Sequence, residues 1–384
     1  MVTSIVTRWR LVGFLAISLA ACGGQEAVSG DSHAGPTARL VDSTILVEAD
    51  SVPLGAYSSF FLRSPRGDVV INDMQQARLI QFDPTGAFRC TIGTRGEGPG
   101  EFQLPGPLGV LPGDTTLMVF DVNRQRASIF DLSTGEYLSG LAVPFQDVGT
   151  NWTVDGTDLV MAINASNAIM ARWRIGSAAM EAVGEVPAHM LNKVGARMAY
   201  GRSEVVVTDS LVLVLLPTEP GVNVYNRAMQ YLGYVPVMAV RREGEPADLA
   251  TRQRAFGRDA SDLSIASSTV GFHRLQSGMI VLVHLDMTVR AGEGRGTRAD
   301  DFRLYMTLLS EDLSKACIDG SVNIRTDVAP IPSFVGDTMF VLARQVQGDD
   351  RVRSVVYAVV IDSSSCDWTP TGGVQPRVVD TDAR

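Results

Sequence analysis

The sequence predicts an all-β fold: a six-bladed β-propeller of four-stranded antiparallel blades behind an N-terminal signal segment. Two observations predict it. Two stretches, GDVVINDMQQARLIQFDPTG from Gly67 to Gly86 and GDTTLMVFDVNRQRASIFDLSTG from Gly113 to Gly135, share a pattern in a register of 48 residues. Asp73, Arg78, Phe82 and Asp83 recur as Asp121, Arg126, Phe130 and Asp131. A strand-built repeat of about that period marks a propeller blade. The second observation is general. Short Val-rich or alternating apolar runs, split by Gly, Asp, Asn and Pro, dominate the chain, as many short strands would.

The chain opens with Arg8 and Arg10, followed by an uncharged apolar run from Leu11 to Ala21. That run is too short to span a bilayer comfortably as a helix and reads as a secretory signal. Gly23 to about Ala38 is rich in Gly, Ser and Ala, cannot bury a core, and reads as a flexible tether. The expected organisation is a signal peptide over residues 1–21, a tether over 22–40, the propeller over 41–370 and a tail over 371–384.

The first repeat parses into a whole blade. Tyr57–Arg63 is the inner strand, Ser64 to Gly67 a turn, Asp68–Asn72 the second strand and Arg78–Phe82 the third. Asp83-Pro84-Thr85-Gly86 places Pro and Gly where a β-turn wants them. Ala87–Ile92 is the outer strand, and Gly93–Phe102 carries the chain onward. Turn-plus-strand units recur at Gly67–Asp73, Gly113–Asp121, Gly156–Asn164, Asp209–Leu216, Gly278–Asp286 and Gly336–Arg344. Each has a following partner: Arg78–Phe82, Arg126–Phe130, Ile169–Ile175, Val222–Tyr225, Phe302–Leu309 and Val355–Ile361. Six such units make six blades, whereas a seventh would need a repeat with no visible trace. The apolar, β-branched stretch Thr44–Glu48 is expected to pair into the last blade and close the ring, because an open ring would leave edge strands exposed. The fourth interval carries an insertion, Arg241–Arg258, within which Ala247–Arg258 reads as a short charged helix after Pro246.

The formal charge is −9, and removing residues 1–21 takes away two Arg and no acid, giving −11. Such a chain is not expected to bind nucleic acid. Besides Cys22 there are Cys90, Cys317 and Cys366. An odd count leaves at least one unpaired within the molecule. An exported chain allows a Cys317–Cys366 disulfide, but equivalent points on neighbouring blades are usually too far apart for one. The four His are scattered, with no HExxH and no Cys/His metal spacing.

The run Leu19-Ala20-Ala21-Cys22 resembles the bacterial lipobox. That resemblance implies cleavage before Cys22 and its lipidation, hence a lipoprotein. Several acyl chains on one residue anchor durably. An ordinary signal peptide with a chance Cys is the alternative. By the same resemblance, Gly23 after the Cys points to the outer membrane of the bacterial cell envelope. The stretch GEGPGEFQLPGPLGVLPGDTTLMVFDVNRQRASIF is similar to the NHL-type propeller repeat at Gly100, Phe102, Pro105, Asp114, Asp121, Asn123, Arg126 and Phe130. It resembles especially the six-bladed β-propeller lipoproteins of Gram-negative bacteria.

The Gly93–Gly100 segment lacks GK[ST] and a following helix, so it is not a phosphate-binding loop. Its glycines suit a tight passage between blades. Asp73 and Asp121 suit turn capping, with Arg78 and Arg126 able to cross-link to them. Arg95, Glu97 and Glu101 share a face with Asp73 and Asp121 in propeller geometry. These five, together with Arg241 and Arg242 of the insertion, form the candidate binding face. Asn72, Asp121, Asn164 and Asp286 supply oxygens near strand ends but make no recognisable calcium set, and no GxSxG is present. No catalytic residue and no cofactor is assigned. The functional expectation is a membrane-anchored, non-catalytic propeller that binds a protein, peptide or glycan. The alternative is a metal-dependent hydrolase or lyase with its site in the central channel.

Overall fold

The computed structural model describes residues 34–55, 58–143, 148–163, 168–186, 203–216, 221–237, 262–291, 297–347 and 352–376. Cys22, Asn164 and the insertion with Arg241 and Arg242 lie outside the described residues.

The described residues form a six-bladed propeller, each blade an antiparallel sheet of four strands or more. Blade 1 runs through Phe61–Arg63, Val69–Asp73, Arg78–Phe82 and Phe88–Ile92. Blade 2 uses Pro105–Val110, Thr116–Asp121, Arg126–Asp131 and Tyr137–Ala142. Blade 3 is Val148–Asp155, Asp158–Ile163, Met170–Arg174 and Glu181–Val183, and blade 4 is Glu204–Val207, Leu211–Leu215, Gly221–Asn226 and Tyr231–Pro236. Blade 5 holds the longest strands, Asp262–Arg274, Ile280–Ala291, Thr297–Leu309 and Lys315–Val322. Blade 6 contributes Ile331–Val335, Thr338–Val346 and Val352–Asp362, and takes its outer strand from Thr37–Ile45 near the other end of the chain. The ring therefore closes as expected, with a longer and earlier strand than Thr44–Glu48, beginning ahead of residue 41.

Strand composition follows from burial on both faces of each blade. Successive side chains point to opposite faces, and a strand sandwiched between neighbours needs apolar residues at every position. In blade 1, Val70 and Leu79 pack with Leu117, Val119 and Phe130 of blade 2. The alternating residues Val69, Ile71, Ile80 and Phe82 pack with Leu342 and Val356 of blade 6. In blade 2, Met118 and Phe120 turn instead to Leu159, Met161 and Trp173 of blade 3. Further clusters join blades 3 and 4, 4 and 5, and 5 and 6. The core is thus distributed among the six seams of the ring.

The turn after the third strand explains the repeated Phe-Asp pair. Phe82 and Phe130 are buried, and the Asp that follows each closes the turn. Asp83 Oδ1 accepts from the Thr85 amide at 2.9 Å and hydroxyl at 2.6 Å. Asp131 Oδ1 accepts from the Ser133 amide at 2.8 Å and hydroxyl at 2.6 Å. The same role passes to Asn226, which accepts from the Gln230 amide at 2.9 Å, and to Asp362, which accepts from the Ser364 amide at 2.8 Å. Gly86 ends one such turn with φ of 90°. A Cβ there would stand 2.2 Å from the Ile45 carbonyl oxygen of the closing strand, so only glycine fits.

The C-terminal segment folds back over blade 5. Thr369–Pro370 adds a fifth strand beside Lys315 and Ala316, and Gln375 exchanges two backbone hydrogen bonds with Tyr234 of blade 4. Cys366 is disulfide-bonded to Cys317 with a Cα separation of 5.6 Å. The two cysteines do not occupy equivalent positions on neighbouring blades, where the separation would be too great. Cys366 lies instead on the returning segment, laid directly against the outer strand of blade 5. Cys90 is the free thiol among the described residues.

Candidate functional site

Turns between first and second strands lie on one face of the ring, here called lower. Turns between second and third strands lie on the upper face, as the strand registers require. Asp73, Arg95, Glu97, Glu101 and Asp121 gather on the upper face, around the linker from blade 1 to blade 2. Asp73 Oδ1 accepts from the Gln76 amide at 3.0 Å, and its Oδ2 pairs with Arg78 Nε at 3.2 Å. Asp121 accepts from the Gln103 amide at 2.8 Å and the Leu104 amide at 3.1 Å. Asp121 therefore caps the linker, and with both its oxygens taken Arg126 donates instead to the Glu101 carbonyl. Arg95 donates to the Gln75 carbonyl at 2.7 Å, Glu97 accepts from Gln103 Nε2 at 3.1 Å, and Glu101 accepts from the Gly98 amide at 2.7 Å. All five brace the passage between blades. Asn72 is fully buried, with Oδ1 accepting from the Ser59 and Phe60 amides at 3.0 and 2.9 Å.

A cavity of about 460 Å³ occupies the other mouth of the channel, built from the lower ends of all six inner strands. Its walls expose apolar and polar surface in nearly equal measure, the apolar part including Phe61, Trp152, Val206, Phe272 and Phe334. That size falls within the ordinary range of small-ligand pockets, which combine apolar walls with a few placed polar groups. Two inner-strand glycines seat the aromatic walls. A Cβ on Gly109 would lie 2.4 Å from Trp152 Cζ2, and one on Gly271 would lie 3.3 Å from both Phe334 and Pro332. Trp152 is further fixed edge-on to Phe120, with ring centroids 5.5 Å apart.

The polar lining is largely occupied with holding the ring together. Arg274 bridges Asp209 of blade 4 and Glu311 of its own blade, each at 3.1 Å. Both acids are well exposed, so these pairs contribute at most about 1 kcal/mol each. Arg63 lies over the Phe340 ring of blade 6, 5.4 Å from its centroid, and burial pulls its pKa down. Thr153 donates to the Val205 carbonyl at 3.0 Å. Glu204 is buried and engaged, and Asp114 stands exposed at the rim.

His273 is the exception. Its ring stacks on Phe334, with centroids 4.6 Å apart and planes 8° from parallel. Nε2 lies 3.0 Å from the Gly336 carbonyl oxygen. Burial lowers its pKa, partly offset by that bond and by Asp337. Among the described residues, no group of three or more His, Cys, Asp or Glu is placed to hold a metal ion.

Sequence reading did not select His273, Trp152, Phe334 or the two glycines. They come from four blades, and the inner strands carry no repeated signature. Gly271 immediately before Phe272 and His273 in an otherwise strand-like run was the available signal, since glycine inside a strand marks a close approach.

Comparison with known proteins agrees on the architecture. The family model DUF5128, described as a 6-bladed beta-propeller, matches residues 49–159. The crystal structure of a DUF4221 family member from Bacteroides vulgatus is similar over 86% of this chain and 99% of its own, at 8% identity and a TM-score of 0.56. A Bacteroides fragilis protein described as exported is similar over 86% of this chain and 97% of its own, at 11% identity and a TM-score of 0.52. At these identities the likeness speaks to the fold alone. No curated protein matches the sequence.

Proposed function

We propose that the chain is a non-catalytic binding propeller, held at the bacterial cell envelope by a lipid on Cys22, that takes a protein or peptide ligand at the lower mouth of its channel. The cavity carries this reading. It is concave and combines aromatic and branched side chains with polar groups, several of which, such as Arg274 and Thr153, also bond within the ring. An apolar side chain of a ligand would be sheltered there at about 25 cal/mol per Å² of apolar surface removed from water. The disulfide and the lipobox-like run before Cys22 support an envelope location.

The binding reading is tested by titrating an apolar fluorophore into the chain and into Val154→Arg, which puts a charge on an exposed cavity residue. Saturable binding lost in the variant, with unchanged thermal unfolding, supports the site. Stoichiometric calcium or zinc in the purified protein would instead favour a metal-dependent hydrolase or lyase. Fractionation of cells carrying Cys22→Ala tests the anchor: retention of the variant in the membrane fraction would sink it.

A further inference from the structure

The orientation and tautomer of His273 are both fixed by its neighbours. The Gly336 carbonyl can only accept, so the imidazole nitrogen facing it, Nε2, must carry the proton. In the neutral ring the other nitrogen, Nδ1, is then a bare acceptor. It has no hydrogen-bond partner among the described residues, and the ring lines the cavity. Stacking on Phe334 prevents the ring from turning away. Of the other polar side chains of the wall, Thr153 and Glu204 are engaged and Asp114 stands at the rim, while Arg63 Nη1 and Arg274 Nε are buried donors, not acceptors, with no hydrogen-bond partner among the described residues. A fixed acceptor in the wall discriminates by chemistry: a ring set against it that lacks a donor leaves that acceptor covered and unsatisfied.

We propose that the lower-mouth cavity is a subsite for an apolar ring bearing a single N–H or O–H donor, read by His273 Nδ1. This rests on the binding reading above and names the ligand chemistry it requires. An indole or phenol fits the description, whether as a free small molecule or as the side chain of a bound peptide. Burial keeps His273 neutral at neutral pH, which leaves Nδ1 able to accept.

The test uses the full chain in lipid nanodiscs, with empty nanodiscs as the blank, and isothermal titration with two matched probe pairs. Indole is compared with N-methylindole, and N-acetyl-tryptophanamide with its indole-N-methyl analogue. In each pair that binds, the donor-bearing member is expected to bind about tenfold more tightly or better, the discrimination an unsatisfied buried acceptor produces. His273→Phe keeps a flat ring over Phe334 but removes the acceptor. It is expected to bring the two members of a pair within about threefold of each other, by weakening only the donor-bearing one. Equal affinity of both members in the unaltered chain would overturn the acceptor role while leaving a binding cavity. Failure of all four probes to bind would overturn the subsite and the cavity reading together. Because the donor comparison is made within the unaltered chain, it stands even if His273→Phe does not fold. Binding of free indole alone, or of the amide alone, identifies a small-molecule or a peptide source.

Discussion

The side-chain amide nitrogen of Asn72 donates to the main-chain carbonyl of Pro105 at 2.9 Å, so the second strand of blade 1 holds the start of the inner strand of blade 2. The same side chain accepts from two backbone amides of its own blade. Asn72→Leu is expected to remove this side chain's bonds to two backbone amides and one carbonyl and to lower stability by about 2–3 kcal/mol. Asn72→Asp keeps the two acceptors but sets a carboxylate against the Pro105 carbonyl. It too is expected to destabilise, and less so at low pH, where the acid is protonated and can donate. Urea unfolding of both variants across pH checks this.

The disulfide supports the returning segment more than the ring. Replacing both Cys317 and Cys366 by Ser is expected to cost about 2–4 kcal/mol and to raise amide exchange around Gln375 and Tyr234 before it affects the blades. Denatured without reductant, a chain beginning after Cys22 should titrate one thiol, Cys90. Burial raises the pKa of that thiol, so the folded chain should react slowly with thiol reagents at neutral pH. Two or three rapidly reacting thiols would contradict the pairing.

The turn aspartates make the fold acid-sensitive. Hydrogen bonds from turn hydroxyls and amides pull Asp83, Asp131 and Asp362 below the usual carboxylate range, and Asp312 down to about 2. With folded pKa values below unfolded ones, the folded state binds fewer protons. The stabilisation is therefore complete above about pH 4–5 and is lost as pH falls through the folded values. Thermal unfolding from pH 6 to pH 2 should show a falling midpoint, and Asp131→Asn should flatten part of that slope. A slope unchanged in Asp131→Asn would show that this turn does not contribute.

Gly109→Ala drives a Cβ into Trp152. The expected cost is about 1–3 kcal/mol, with a shift in tryptophan emission and weaker binding of cavity probes. Gly113→Ala is a useful comparison, because a Cβ there meets nothing within 4 Å although its φ is 97°. A loss of stability there without any change in tryptophan emission would separate backbone strain from damage to the cavity wall.

Much of the fold was legible because the second and third strands are doubly buried and end in a turn with fixed chemistry. The pair Phe82-Asp83 marks a strand end by a core residue followed by a cap. Tyr225-Asn226 and Ile361-Asp362 do the same work with different side chains. That substitution is why the repeat fades in the later blades while its geometry persists. The turn roles of Asp73 and Asp121 were also legible, since both belong to the repeat, whereas the glycines lie in the linker between its two copies. Placing the cavity required six inner strands to converge, and no local pattern encodes convergence. His273 in particular looks like an isolated histidine until Phe334 and Gly336 are brought beside it from blade 6.

The closing strand, Thr37–Ile45, is made before any blade, and its partner, Val352–Asp362, after nearly all of them. Until synthesis reaches that partner, five blades can form but the ring cannot be sealed, and the seam between blade 6 and blade 1 stays open. Such long-range pairing makes for a slow last step. A chain cut short before Val352 would carry an unpaired strand at one end and an uncovered blade at the other, a template for joining another such chain edge to edge.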